Sequence, residues 1–252
     1  MEEEHEDGNT LSNPAKLREL QELFLVEAAK YQVLPLDNTK VSRMVMPKPS
    51  LVAGRDVFTY SGEVTGIPRG DAPGIIAKSF SISSELEIPQ GGAEGMLNTN
   101  GRRFGGYGFY LLKGHPVFVF NLLDLERVRW EGKDALTPGK HTVEFDFNYE
   151  GAGVAAGSSG LGKGGLGVLK VDGKEVARTE IARTVPFIFQ WDETFDVGAD
   201  TGTPVDDNDY QVPFRFTGKL LKTTVKLEPP KLGADEKKLL QKRGQRNNKA
   251  SE

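Results

Sequence analysis

The side chains here that could do chemistry are few, and each group must be weighed against a plainer role. Gly157-Ser158-Ser159-Gly160-Leu161-Gly162-Lys163-Gly164 nearly spells a phosphate-cradling loop. Gly164 stands where the magnesium-binding Ser or Thr belongs, and the chain continues into a strand pattern rather than the helix whose N-terminus would face a phosphate. It reads as an inter-strand loop. His5, His115 and His141 each stand without a second His or a carboxylate at ligand spacing, so surface histidines are expected rather than a metal set. Asp192, Glu193, Asp196, Asp200, Asp206, Asp207 and Asp209 crowd one stretch with Gly198 and Gly202. Hard oxygen ligands of this kind could hold calcium, but the spacing is not that of an EF-hand, and a solvated acidic loop is the reading adopted. Glu144 and Asp146 alternate on one strand as glycosidase acids can, without a third acid completing the pattern. No Gly-x-Ser-x-Gly elbow is present. The chain has no Cys, which excludes thiol nucleophiles, disulfides and Cys-ligated metals.

Binding is better represented than catalysis. Tyr107 ends the run Gly101-Arg102-Arg103-Phe104-Gly105-Gly106-Tyr107, where glycines expose backbone beside two guanidiniums. Trp191 sits beside Asp192 and Glu193. Ring faces next to charges suit sugars, sulfated groups or a neighbouring domain, so Arg103, Tyr107 and Trp191 are the candidate contact residues. Most other aromatics fall at alternating strand positions, where core packing accounts for them.

The elements that must position these residues are mostly strands. In the segment 79–88, Phe80, Ile82, Leu86 and Ile88 alternate with Ser81, Ser83, Glu85 and Glu87. Val143, Phe145, Phe147 and Tyr149 alternate with Thr142, Glu144, Asp146 and Asn148. Period-two burial with one wet face marks antiparallel strands. Lys113-Gly114-His115 separates two apolar runs, and Asp172-Gly173, a pair suited to a type I′ turn, joins two more. A last strand over 214–227 slips phase around Gly218, as a bulge would make it do. With no helical pattern between strands, the fold class expected is mainly β: a concanavalin/LamG-like antiparallel sandwich, or jelly roll. One amphipathic helix precedes it. Asn13 is placed to cap it, Pro14 to start it and Pro35 to stop it, while Leu17, Leu20, Phe24 and Ala28 share a stripe that needs a partner surface. The division expected is a disordered acidic start (1–12), the helix region (13–37), an extended connector (38–54), the sandwich (55–228) and a basic, disordered tail (229–252). At a formal net charge of −4 no general nucleic-acid footprint is expected. No run is long and apolar enough for a membrane span, and the acidic residues 1–7 do not form a signal peptide, so a soluble protein is expected.

Leu17–Tyr31 followed by Val33-Leu34-Pro35-Leu36-Asp37, then Ile88–Gly95, Gly101–Leu111, His141–Phe145, Thr184–Phe187, Asp192–Gly198 and Asp200–Val205, resemble the C-terminal accessory region of large bacterial arylsulfatases. The resemblance covers roughly residues 13 to 228. It implies a family that hydrolyses sulfate esters with a formylglycine nucleophile and calcium, both in a catalytic domain that no position here matches. Ser12-Asn13-Pro14-Ala15-Lys16 is only faintly similar to the nucleophile signature, since Lys16 stands for its Arg. The resemblance therefore implies a non-catalytic accessory region, with no cofactor of its own, packing against a sulfatase catalytic domain or chain. The alternative is a free-standing carbohydrate-binding module of the concanavalin type.

Overall fold

The computed structural model describes residues 13–36, 51–151, 162–185 and 194–229. The chain divides into two compact units, Met1–Pro49 and Ser50–Glu252.

In the first unit, α1 (Pro14–Lys30) begins with Pro at its first turn, where a missing N–H costs nothing. Asn13 lends no side-chain cap, contrary to the sequence expectation; only its carbonyl takes part, accepting from Leu17 N at 3.0 Å. The helix also ends before Pro35 acts. Gln32 turns left-handed (φ 55°), and Val33 N and Gln32 N donate back to Ala28 O and Ala29 O, closing a Schellman motif. Leu17, Leu20 and Phe24 are exposed and Ala28 is buried. No described helix is long and apolar enough to cross a membrane.

The second unit is a sandwich of two six-stranded sheets. The first runs in the order β1 (Val57–Tyr60), β14 (Lys219–Leu227), β3 (Phe80–Ile88), β8 (Gly139–Tyr149), β9 (Gly162–Val171), β10 (Lys174–Thr184). The second runs β2 (Val64–Pro68), β11 (Thr194–Val197), β4 (Gly95–Arg102), β5 (Gly105–Leu112), β6 (His115–Leu122), β7 (Glu126–Glu131). Every pairing in both sheets is antiparallel. A small third sheet pairs β12 (Ala199–Asp200) with β13 (Phe214–Arg215). Period-two alternation places Phe80, Ile82 and Leu86 inward with Val143, Phe145 and Phe147, as their spacing requires. The single strand expected over 214–227 is two: the chain crosses from β13 to β14 at Gly218, and a register shift follows between Leu220 and Lys222.

Between the sheets, Phe118 of β6 stacks on Phe145 of β8 with ring centroids 3.5 Å apart, and Trp130 meets Phe145 edge-on at 5.1 Å. Trp130 fits because β9 has no side chain opposite it. A Cβ on Gly167 would stand 2.5 Å from the indole, whose Nε1 instead donates to Gly167 O at 2.9 Å. Strands β5 and β6 are buried on both faces. Their outer face carries a second core, Met96, Tyr110, Val117 and Val119, roofed by Val205, Tyr210, Val212 and Phe214 from the segment 199–215.

Candidate functional site

Of the acidic stretch expected to be a solvated loop, Asp200, Asp206, Asp207 and Asp209 lie in this roof and Asp196 in β11, and each is engaged. Asp200 is buried, accepting from Tyr210 Oη at 2.6 Å and Gly202 N at 3.1 Å. Asp196, also buried, accepts from Gly66 N at 2.7 Å and Thr194 Oγ1 at 3.1 Å. Asp209 accepts from both Tyr110 Oη and Arg129 Nη1. Burial, then the bond to Asp209, push the Tyr110 hydroxyl far above its ordinary pKa; burial, then the charge of Asp200, do the same to Tyr210. Both phenols are fixed donors that tie the roof down. Burial works against the Arg129 charge, but its bonds to Glu131 and Asp209 prevail and raise its pKa. Among the described residues, no group of three or more His, Asp or Glu gathers as a metal site.

The roof closes one broad face of the sandwich. The other, the outer face of the first sheet, is laid with ion pairs: Lys222 to Glu85 at 2.5 Å, Lys170 to Asp146 at 2.6 Å and Arg178 to Glu175 at 2.5 Å. Asp146 is thus a surface partner of Lys170, whose pKa it raises. His141 is less solitary than its sequence neighbours suggested. Its Nδ1 lies 2.8 Å from Asp172 Oδ2, and its Nε2 lies 2.8 Å from Thr137 O. Between the sheets, the cavity lined by Tyr107, Trp130 and Phe145 is only about 30 Å³, far below the volume of a sugar ring. At one end of the sandwich, Gly91, Gly92, Glu94, Lys113, Leu136 and Thr217 line an open pocket of about 410 Å³ that contains no aromatic side chain.

At the other end of the second sheet two hairpin tips lie together. Arg103-Phe104 is the two-residue turn between β4 and β5, made possible by glycines. Gly101 and Gly106 approach so closely that a Cβ on Gly101 would stand 2.4 Å from Gly106 Cα. Phe104 is therefore presented outward and is 63% exposed. Leu123-Asp124-Leu125 turns β6 into β7, with Leu123 and Asp124 both left-handed (φ 54° and 61°). Such φ values strain a side chain like Leu and persist only where neighbours hold them.

The holding residue is Asn121, fully buried. Its Nδ2 donates to Arg103 O at 2.7 Å and Val205 O at 3.1 Å, and its Oδ1 accepts from Asp124 N at 2.9 Å. Arg127 adds Nε to Val205 O at 3.2 Å and an ion pair to Asp124 at 2.8 Å. Arg103 Nη1 lies 3.5 Å from Asp207. The tip that exposes Phe104 thus also carries two guanidiniums and two carboxylates paired with one another, Arg103 and Asp124 from the two turns, Arg127 from β7 and Asp207 from the roof, with Asn121 joining the segments.

Of the residues the sequence singled out, Arg103 lies at this surface. Tyr107 does not: it is fully buried, stacks on Phe118 at 5.4 Å and donates to Asn98 Oδ1 at 2.7 Å, and burial pushes its hydroxyl well above the ordinary range. Trp191, most of the phosphate-loop-like run, His5, Asp192 and Glu193 lie outside the described residues. Phe104, Asp124 and Arg127 were not singled out by the sequence, and Asp207 was named only as one of the acidic stretch. Phe104 alone carried a local signal, an aromatic at the turn of a Gly-flanked hairpin.

No family model matches the chain, and no curated protein matches it. Among solved structures it is similar to a Ruminococcus gnavus IT-sialidase CBM40 bound to α2,3 sialyllactose, at 13% identity and TM-score 0.47, over 71% of this chain and 95% of that one. It is similar to a leech intramolecular trans-sialidase at 10% identity and TM-score 0.45, over 72% of this chain and 26% of that one. It is also similar to domains LG4-5 of the mouse laminin α1 chain at 15% identity and TM-score 0.41, over 76% and 46%. The chain itself is a mainly β, LamG-like antiparallel sandwich, as its two sheets show. The arylsulfatase expectation is corrected here. No family model matches, and these neighbours are a sialidase CBM40, a trans-sialidase and laminin LG domains rather than sulfatase regions, so neither the resemblance nor a sulfatase catalytic partner finds support.

Proposed function

We propose that the sandwich is a carbohydrate-binding module, and that its binding surface is the pair of hairpin tips with Arg103, Phe104, Asp124 and Arg127, joined by Asp207 of the roof. The observation that carries this reading is the Phe104 ring, 63% exposed, at a tip that also carries paired charges and whose backbone Asn121 holds in place. A pyranose has an apolar C–H face that lies against an aromatic ring and a rim of hydroxyls that need donors and acceptors. Carboxylate and guanidinium groups beside a ring supply both, as charge-assisted hydrogen bonds. Among the described residues, the other surfaces support the reading less, and the open pocket at the opposite end has no aromatic side chain. One sheet face is roofed, the other is covered by ion pairs, and the interior cavity has room for little more than a water molecule.

The test is a glycan array probed with the whole chain, followed by titration of any hit against the wild type and Phe104→Ala. Ring removal is expected to weaken binding by about 10-fold or more, as one lost contact of about 1.4 kcal/mol does, with the thermal midpoint unchanged. Silence across the array, or full binding by Phe104→Ala, would reject the proposal.

A further inference from the structure

We infer that the hairpin-tip surface takes a neutral, hydroxyl-rich glycan and discriminates against anionic ones; this rests on the carbohydrate reading above and narrows it. The charges at this surface are paired with one another. Arg103 and Arg127 are paired with Asp207 and Asp124 at the tip that exposes Phe104, so the formal charges of these four cancel. Arg127 is already committed through Nε to Val205 O, through Nη2 to Asp124 at 2.8 Å, and more weakly to Arg103 O at 3.5 Å. Asp207 lies 3.5 Å from Arg103 and 4.0 Å from Arg127, between the two positive groups. A carboxylate or sulfate arriving at either guanidinium would have to displace Asp207 or Asp124, or sit beside them and be repelled.

A hydroxyl meets no such obstacle. Asp124 and Asp207 are 37% and 38% exposed, and each ion-paired carboxylate still has lone pairs that can accept an O–H. Arg103, 55% exposed, keeps guanidinium N–H groups beyond the one facing Asp207. Neighbouring hydroxyls on one sugar edge can therefore donate to Asp207 and accept from Arg103 without breaking the pair, while the ring face rests on Phe104. Arrangements that bind by filling spare capacity in neutral pairs depend little on ionic strength, whereas capture of an anion by exposed arginines is screened by salt.

The experiment presents the whole chain with neutral hexose and N-acetylhexosamine oligosaccharides and with sialylated, sulfated and uronic glycans, at about 50 mM and about 500 mM salt. The expected result is binding to neutral glycans, with a Kd that shifts less than about 2-fold between the two salts. Asp207→Asn and Arg103→Gln should each weaken it roughly 10-fold, with the thermal midpoint recorded for both. Binding confined to acidic glycans, falling steeply with salt and strengthened by Asp207→Asn, overturns the inference and leaves the carbohydrate reading standing. Neutral binding that both variants leave untouched also overturns it, because the pairing would then play no part. No binding to any glycan removes both.

Discussion

Replacing Asn121 with Ala tests whether one buried amide sets the geometry of the tips. The side chain makes three hydrogen bonds, at 2.7, 3.1 and 2.9 Å, to Arg103, Val205 and Asp124. At a net worth of about 1 kcal/mol each, their loss costs roughly 3 kcal/mol. The carbonyls of Val205 and Arg103 keep Arg127 as a donor, at 3.2 and 3.5 Å, which limits the penalty for leaving them unpaired. For a folded unit of this size, about 2–4 °C is lost per kcal/mol, so the midpoint should fall by roughly 6–12 °C. Chemical denaturation with an unchanged slope would measure the loss, and amide exchange would localise it, with the Asp124 and Leu125 amides losing protection first. Asn121→Asp keeps the acceptor for Asp124 N but loses both donations, and should be at least as damaging. A loss below about 1 kcal/mol, or exchange that rises elsewhere and not in the 103–104 and 123–125 turns, would refute the assignment of Asn121 as the positioning residue.

Gly167→Ala drives a methyl into the Trp130 indole, 2.5 Å away, and should cost about 1–3 kcal/mol by overpacking, read as a lower midpoint and an altered Trp fluorescence maximum. Tyr210→Phe removes the 2.6 Å bond to buried Asp200 and the acceptor for Val205 N. It should cost about 1–3 kcal/mol and raise amide exchange across 199–215 while leaving the first sheet protected; uniform exchange would count against a separate roof. Burial works to raise the Asp172 pKa, but the Thr142 N–H and His141 outweigh it and hold it below the usual carboxylate value. A lowered folded-state pKa gives stability that is complete above the unfolded value of about 3.9 and disappears as pH falls through the folded one. Asp172→Asn should therefore flatten that acid limb of the stability profile, and an unchanged limb would contradict the assignment.

The sandwich was legible because burial alternates with period two wherever one face is wet, as in Phe80–Ile88 and His141–Tyr149. The Lys113-Gly114 and Asp172-Gly173 turns showed themselves by residue type, and both adopt the positive φ values that a type I′ turn demands. Strand β4 gave no such pattern, because Asn98 and Thr99 are buried for their hydrogen bonds to Asp196 O and Tyr107 O. The roof hid behind its acids. Val205, Tyr210 and Phe214 are its apolar side, but seven carboxylates over 192–209 made the stretch look solvated. Tyr107 could have been assigned inward from its phase, since Phe109 and Leu111 follow it at steps of two on the same buried face. Phe104 falls outside that phase, in the turn, and this is what exposes it. Arg127 and Asp207 reach the site across long stretches of chain, through pairings of β6 with β7 and of the roof with β6 that local spacing does not encode.

The most direct test of the binding surface is amide chemical-shift mapping of the whole chain, titrated with the tightest neutral glycan from the array. Shifts should concentrate in residues 103–104, 123–127 and 205–207, and Phe104→Ala should need about 10-fold more glycan or more to reach them. Shifts that instead gather around Gly92, Lys113 and Leu136, at the opposite pocket, would contradict the account.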